Sequence, residues 1–248
     1  MKDSPRAEQN WMTLAAQMAQ TPADFVLHLG DIVDGGREPQ YERYLAGREL
    51  IRKSVYEIPG NHDPEELFKK HIRKAVDTTI EAGWLKFLML NNSRPESHDG
   101  FISDPQLEWI RSHVEEAAPK NQGIVVCMHV PAHPNASPDR GWYVKPKDGQ
   151  ARFYELIRKH RDRIVSVFHG HLHNGLRGWT DTSGIPEICF PSALYNQDRS
   201  LEKSGASGFN PTEFRPGFTR VSATRSRLQL EFHAASRGPV LAREFIHT

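Results

Sequence analysis

Four short apolar runs in this chain end on one kind of residue: a glycine followed or preceded by a carboxylate, an amide or a histidine, or a histidine alone. Residues 25–29 lead into Gly30-Asp31-Ile32-Val33-Asp34, and residues 54–58 into Pro59-Gly60-Asn61-His62-Asp63. Residues 123–128 deliver His129, and residues 164–168 deliver His169-Gly170-His171-Leu172-His173. The runs are rich in Val, Ile, Leu and Phe and too short for helices, which marks them as buried strands of a parallel sheet. Open α/β sheets gather their functional groups beyond the C-terminal ends of such strands. The chain is therefore constrained to an α/β fold with a polar site along one end of the sheet.

The segments between the runs carry helical periodicity. Asp3-Ser4-Pro5 caps a helix expected over 5–20, with Trp11, Leu14, Ala15 and Met18 on one face. Further helices are expected over 39–53, after Pro64, from Asp104-Pro105 with Leu107, Ile110 and Val114, and over 148–161. Residues 84–90 read as another strand. Beyond residue 180 short strands replace helices, at 185–190, 217–223, 227–233 and 242–247, and imply an antiparallel closing sheet. Two packed sheets covered by helices follow from this order. No internal repeat is visible, and 248 residues suit one domain over 1–248. The irregular stretches 131–148 and 194–216 are long enough to read as functional loops.

A formal net charge of +1 with 25% charged residues argues against a surface built for long nucleic acid or for membranes. No apolar stretch approaches the ~18 residues of a membrane span, and Met1 to Arg6 lacks a signal-peptide core, so a cytoplasmic protein is expected. Cys127 and Cys189 sit inside apolar runs and read as buried strand residues, not as a disulfide or a zinc cluster.

The strand-end residues mix carboxylate, amide and imidazole. That mixture suits a divalent transition metal (manganese, iron or zinc), because calcium prefers all-oxygen shells and structural zinc prefers thiolates. Taken singly, Gly-Asp and Asn-His-Asp are also ordinary turn sequences; their repetition at four strand ends is what points to a site. His28 within a strand, and His71, His113 and His160 on helices, read as structural, whereas His98 and His133 lie on loops within reach of a substrate.

The order Gly30-Asp31-x-x-Asp34, Gly60-Asn61-His62-Asp63, His129, Gly170-His171-x-His173 resembles the calcineurin-like metallophosphoesterase signature over nearly the whole chain. The resemblance implies a four-layer αββα sandwich with a pair of metal ions at the strand ends, and hydrolysis of a phosphoric ester. It implies that Asp31 bridges both ions, that Asn61, His129 and His171 hold the second, and that His173 holds the first. It casts His62 as the group that protonates or stabilises the leaving oxygen, with Asp63 orienting its ring.

One part of the signature is absent. Family members carry Asp-x-His at the end of a first strand, and no such motif precedes Asp31 here. Met1 falls where the loop after that strand belongs, so the expectation is a missing first strand upstream of Met1. Its neighbours are then expected to keep unpaired backbone edges. The alternative is a binding or scaffold protein on the same fold, impaired in catalysis.

The signature does not separate phosphatases from phosphodiesterases. The loop from Pro131 to Asp148 carries Arg140, Trp142, Tyr143, Lys145 and Lys147, aromatic faces and cations suited to a base and a phosphate. A small phosphoester or nucleotide is the expected substrate. Oligomeric state is not legible.

Overall fold

A computed structural model describes residues 1–134, 141–196 and 215–247. Helix α1 (Pro5–Gln20) starts at Ser4, whose side chain accepts from the Ala7 N–H, and Pro5 supplies a first turn that needs no donor. Its buried face is Ala7, Trp11, Leu14, Ala15 and Met18. Trp11 stacks on Tyr44 of α2 (Glu38–Leu50) at 5.2 Å and donates its indole N–H to the Tyr44 carbonyl at 2.9 Å. A Cβ on Gly47 would collide with that indole, so the two helices approach only because residue 47 has none.

Between these helices runs β1 (Phe25–Leu29), which pairs in parallel with β2 (Ser54–Ile58); α3 (Glu65–His71) follows. A six-stranded sheet comes next, built from β3 (Thr78–Ala82), β4 (Leu85–Met89), β5 (Gly123–Cys127), β6 (Ile164–His169), β7 (Arg177–Trp179) and β8 (Glu187–Cys189). Its spatial order is β3-β4-β5-β6-β8-β7, parallel from β4 through β8 and antiparallel at both edges. Helices α4 (Asp104–Ala117) and α5 (Gln150–Lys159) follow β4 and precede β6 in the chain. The last strands, β9 (Gly217–Ala223), β10 (Arg227–Ala234) and β11 (Pro239–Ile246), form an antiparallel sheet.

Strand period sorts the apolar residues into layers. On β5, Ile124 and Val126 face α4 and α5 together with Ile110, Val114, Phe153 and Ile157. Val125 and Cys127 face the opposite way, into a core shared with Phe168, Ile188, Leu228, Leu230, Phe25 and Leu27. On the far side Val26 and Val55 meet Trp11, Tyr41, Tyr44 and Phe68 of α1 to α3. These layers are the expected αββα sandwich.

Sequence reading differs from the structure in detail. Strand β3 was not expected; Thr78-Thr79-Ile80-Glu81-Ala82 is a half-polar edge strand joined to β4 through Gly83 at φ +58°, and its weak apolar pattern hides it. Edge strand β7, three residues long, was also unread. Helix α4 is capped by Ser103 in a capping box with Gln106, and Asp104 is its first residue. Cys127 and Cys189 are buried and not joined in a disulfide, as expected. No helix is long and apolar enough to cross a membrane among the described residues.

The layer facing α1 to α3 is split. Among the described residues β1 pairs with β2 alone and β9 with β10 alone. The second edges of β1 and β9 line a cavity of about 1090 Å³, walled by Phe25, Leu27, Phe87, Phe168 and Val221.

Candidate metal centre

The C-terminal ends of β1, β2, β5 and β6 meet beside this cavity. Asp31 follows β1 with φ 55°, and His171 and His173 follow β6 with φ 69° and 51°. Three non-glycine residues in the left-handed region within one site mark local strain that the surrounding packing sustains. A Cβ on Gly30 would enter the His129 ring, and one on Gly60 would enter the Asp31 carboxylate; glycine lets these three loops close on one another.

Ligand-bearing atoms of Asp31, His129 and His171 lie within 4.8 Å of one another. His129 Nε2 is 3.2 Å from Asp31 Oδ1 and 3.1 Å from His171 Nδ1. The far nitrogen of each ring faces a carbonyl: His129 Nδ1 lies 2.6 Å from Leu29 O, and His171 Nε2 lies 2.9 Å from His98 O. A carbonyl demands an N–H, so whenever the two rings are neutral the nitrogens turned inward are their lone-pair atoms. Two lone pairs and a carboxylate oxygen then converge on one point, where positive charge, a proton between Asp31 and His129 or a metal ion, is favoured.

Asn61 strengthens the case. It is 7% exposed, and its Oδ1 is buried without a hydrogen-bond partner. An orphaned buried acceptor is costly unless a ligand satisfies it. His173 stands on the other side of Asp31, with Nε2 3.9 Å from Oδ2 and Nδ1 2.7 Å from the Tyr195 carbonyl. The donors present fit a divalent transition metal.

Electrostatics show the same demand for positive charge between Asp31 and His129, which a proton or a metal ion can meet. Burial opposes charge on Asp31, yet the neighbouring imidazoles, His129 first and then His173 and His62, hold its carboxyl well below the usual range. Burial likewise opposes charge on His129, and Asp31 overcomes it and raises the imidazole. His171 is pushed well below the ordinary histidine range, first by burial and then by His129.

His62 lies at the rim, its backbone N–H donating to Asp31 Oδ1 at 3.1 Å. The expectation that Asp63 orients the His62 ring is not met. His62 Nδ1 instead lies 2.8 Å from the Asp34 carbonyl. The Asp63 carboxylate, 2% exposed, accepts from the N–H groups of Ile32 at 3.0 Å, Val33 at 3.1 Å and Gly60 at 2.8 Å, and from the Tyr41 hydroxyl at 3.0 Å. It staples the two ligand loops together and has no capacity left for the ring. The Asp34 side chain turns away to Lys2 at 3.5 Å.

Of the loop histidines, His98 reaches the centre, with its ring centroid 5.9 Å from that of His171. His133 does not: it stacks on Trp179 and contacts Asp181 at 3.0 Å. His28 is buried in β1 and forced down to about pKa 3 by burial, while His71 faces Glu38 and His113 faces Lys86 and Glu116. Arg140 lies outside the described residues, as do 197–214 of the second loop.

Sequence reasoning missed Asn92. It is fully buried, its Oδ1 accepts from the N–H groups of His129 and Val130, both at 3.0 Å, and its Nδ2 donates to the Val130 carbonyl at 2.7 Å. Its position just past β4 is a fifth strand end, the same signal that identified the other four.

The comparisons with known proteins agree with this architecture. A probable cyclic nucleotide phosphodiesterase of Rhodococcus erythropolis is 29% identical over 196 residues, covering 75% of this chain and 62% of the relative. A cAMP/cGMP dual specificity phosphodiesterase of Mycobacterium tuberculosis is 27% identical over 197 residues, covering 75% and 59%. The chain thus spans about three fifths of the length of these relatives. The crystal structure of a dimetal phosphatase from Danio rerio superimposes with a TM-score of 0.72 at 15% identity, over 97% of this chain and 89% of that one, which shows the fold. The sequence model described as calcineurin-like phosphoesterase matches residues 7–175, and the chain belongs to that family.

Proposed function

We propose that this chain, read as one domain over 1–248, is a metal-dependent hydrolase of small phosphodiesters, with Asp31, Asn61, His129, His171 and His173 as its metal ligands. The observation that carries the reading is the convergence of Asp31, His129 and His171 within 4.8 Å beside the orphaned Oδ1 of Asn61. Names of the relatives favour a diester, cyclic nucleotides among them, over a monoester. Bound divalent metal supplies Lewis acidity, a water acidic enough to ionise near neutral pH and charge neutralisation at the phosphoryl oxygens.

The remaining work belongs to the chain. Asp31 offers Oδ1 toward His129 and Oδ2 toward His173, so one carboxylate faces two ligand sets, which favours a bridging role in a two-ion centre. The carbonyls of Leu29, His98 and Tyr195 fix the three imidazoles in the orientation a ligand needs. With Nδ1–H given to the Asp34 carbonyl, His62 in its protonated form presents Nε2–H as the proton donor to the leaving oxygen, and the neutral ring remains after transfer. Manganese is the metal to test first, with iron and zinc compatible with the same donors.

The test is hydrolysis of bis(p-nitrophenyl) phosphate and p-nitrophenyl phosphate with added manganese. Turnover that prefers the diester and disappears with a chelator or in His171→Ala supports the reading. Folded protein without metal-dependent turnover overturns it.

A further inference from the structure

The His98 ring stacks on Trp142, with centroids 4.3 Å apart and planes 22° from parallel. The pair stands over the metal centre. His98 is centred 5.9 Å from His171 and 6.4 Å from His62, and Trp142 is 5.6 Å from His171. His98 itself is exposed while Trp142 is half-buried, so the imidazole stays open to solvent with the tryptophan stacked on it.

The stack is held from both loops that supply it. Ile102 N–H donates to the Asp148 carbonyl at 2.8 Å, Lys145 Nζ lies 3.3 Å from Asp99 and 3.6 Å from the centre of the Tyr143 ring, and Phe101 N–H donates to the Asn92 carbonyl at 2.9 Å. The same Asn92 fixes His129. A stacked imidazole braced to the ligand shell, exposed, and adjacent to the candidate proton donor is placed to meet the half of the substrate that departs.

We propose that His98 and Trp142 form an aromatic platform for the leaving-group half of a phosphodiester, so that the preferred substrates carry a planar ring, a nucleoside or an aryl group, on that side. This rests on the reading of the site as a phosphodiesterase. Two effects are separable at His98: its carbonyl orients His171, and its ring contacts substrate. Replacing the side chain leaves the carbonyl in place.

The experiment uses bis(p-nitrophenyl) phosphate with manganese and four proteins: wild type, His98→Ala, His98→Phe and Trp142→Ala. Truncating either ring removes a face on which the planar group stacks, so KM should rise about tenfold in His98→Ala and Trp142→Ala, with kcat changed less than about threefold. His98→Phe keeps a ring and should stay within about threefold of wild type. Manganese affinity by calorimetry should be unchanged in all four. An unchanged KM in His98→Ala overturns the proposal. So does a tenfold loss of manganese affinity in that variant, which would mean that residue 98 acts through His171, and so does a His98→Phe as impaired as His98→Ala. If wild type shows no turnover, the phosphodiesterase reading fails by itself. Equilibrium binding of the same diester then decides the platform: weaker binding to His98→Ala than to wild type upholds it, and equal or absent binding overturns it.

Discussion

Asn92 grips the peptide that carries His129: its carboxamide accepts from the N–H groups of residues 129 and 130 and donates to the Val130 carbonyl, all three bonds fully buried. Removing the carboxamide strands two donors and an acceptor away from water. Asn92→Ala should therefore lose ~3 kcal/mol of stability in urea titrations. Because outer partners of metal ligands tune affinity by roughly 10–100-fold, manganese binding should weaken by at least about tenfold. A variant with wild-type manganese affinity would show that the His129 loop holds its shape without Asn92.

Asp63 makes a graded series possible. Tyr41→Phe deletes one of its four donors, and a single hydrogen bond to a charged group is worth ~1.5–3 kcal/mol. Asp63→Asn is predicted to be worse than Tyr41→Phe, because each carboxylate oxygen accepts two hydrogen bonds and an amide NH2 must oppose one of those pairs. Denaturant midpoints should fall in the order wild type, Tyr41→Phe, Asp63→Asn. An Asp63→Asn as stable as Tyr41→Phe would contradict the role of the carboxylate as a staple between the loops at 30–34 and 59–63.

Much of this fold was legible because the buried parallel strands are nearly pure apolar runs and their ends carry the polar residues. Strand β5 and His129 are read almost without effort. What escaped reading was long-range or weakly patterned. Nothing local in Asp63 says that its carboxylate reaches back to Ile32 and Val33, thirty residues earlier, instead of to the neighbouring His62 ring. Nothing in Thr78 to Ala82 distinguishes a half-exposed edge strand from a loop. His98 and Trp142 are 44 residues apart, and only the folded chain shows that they stack.

The split layer makes a prediction about dynamics. Strand β1 is bonded to β2 on one side and faces the 1090 Å³ cavity on the other, whereas β5 is bonded on both sides. Amides of 25–29 that do not donate to β2 have, among the described residues, no strand partner to slow their exchange. Hydrogen exchange followed by NMR should show alternating fast and slow amides along β1 and uniformly slow ones along β5. Uniform protection of β1 would mean that its outer edge is covered in solution.

Glu187 provides a pH test away from the metal ligands. Its carboxylate is buried behind β8, accepting from the N–H groups of Ala132 and His133, both at 2.8 Å, and from the Tyr154 hydroxyl at 2.8 Å. Burial raises its pKa from 4.5 to about 7, against the pull of those three donors. The folded chain therefore keeps a proton here that the unfolded chain releases near pH 4.5, and it binds more protons than the unfolded chain between the two values. Stability contributed by this group is full below pH 4.5 and is lost as pH rises to about 7, a fall of ~3 kcal/mol. Glu187→Gln keeps an acceptor for Ala132 and His133 and cannot ionise. Unfolding free energies of wild type and variant, measured from pH 4.5 to 8, should diverge by that amount in favour of the glutamine at the alkaline end. Parallel curves would show that Glu187 titrates alike in both states, and that the three hydrogen bonds offset its burial in full.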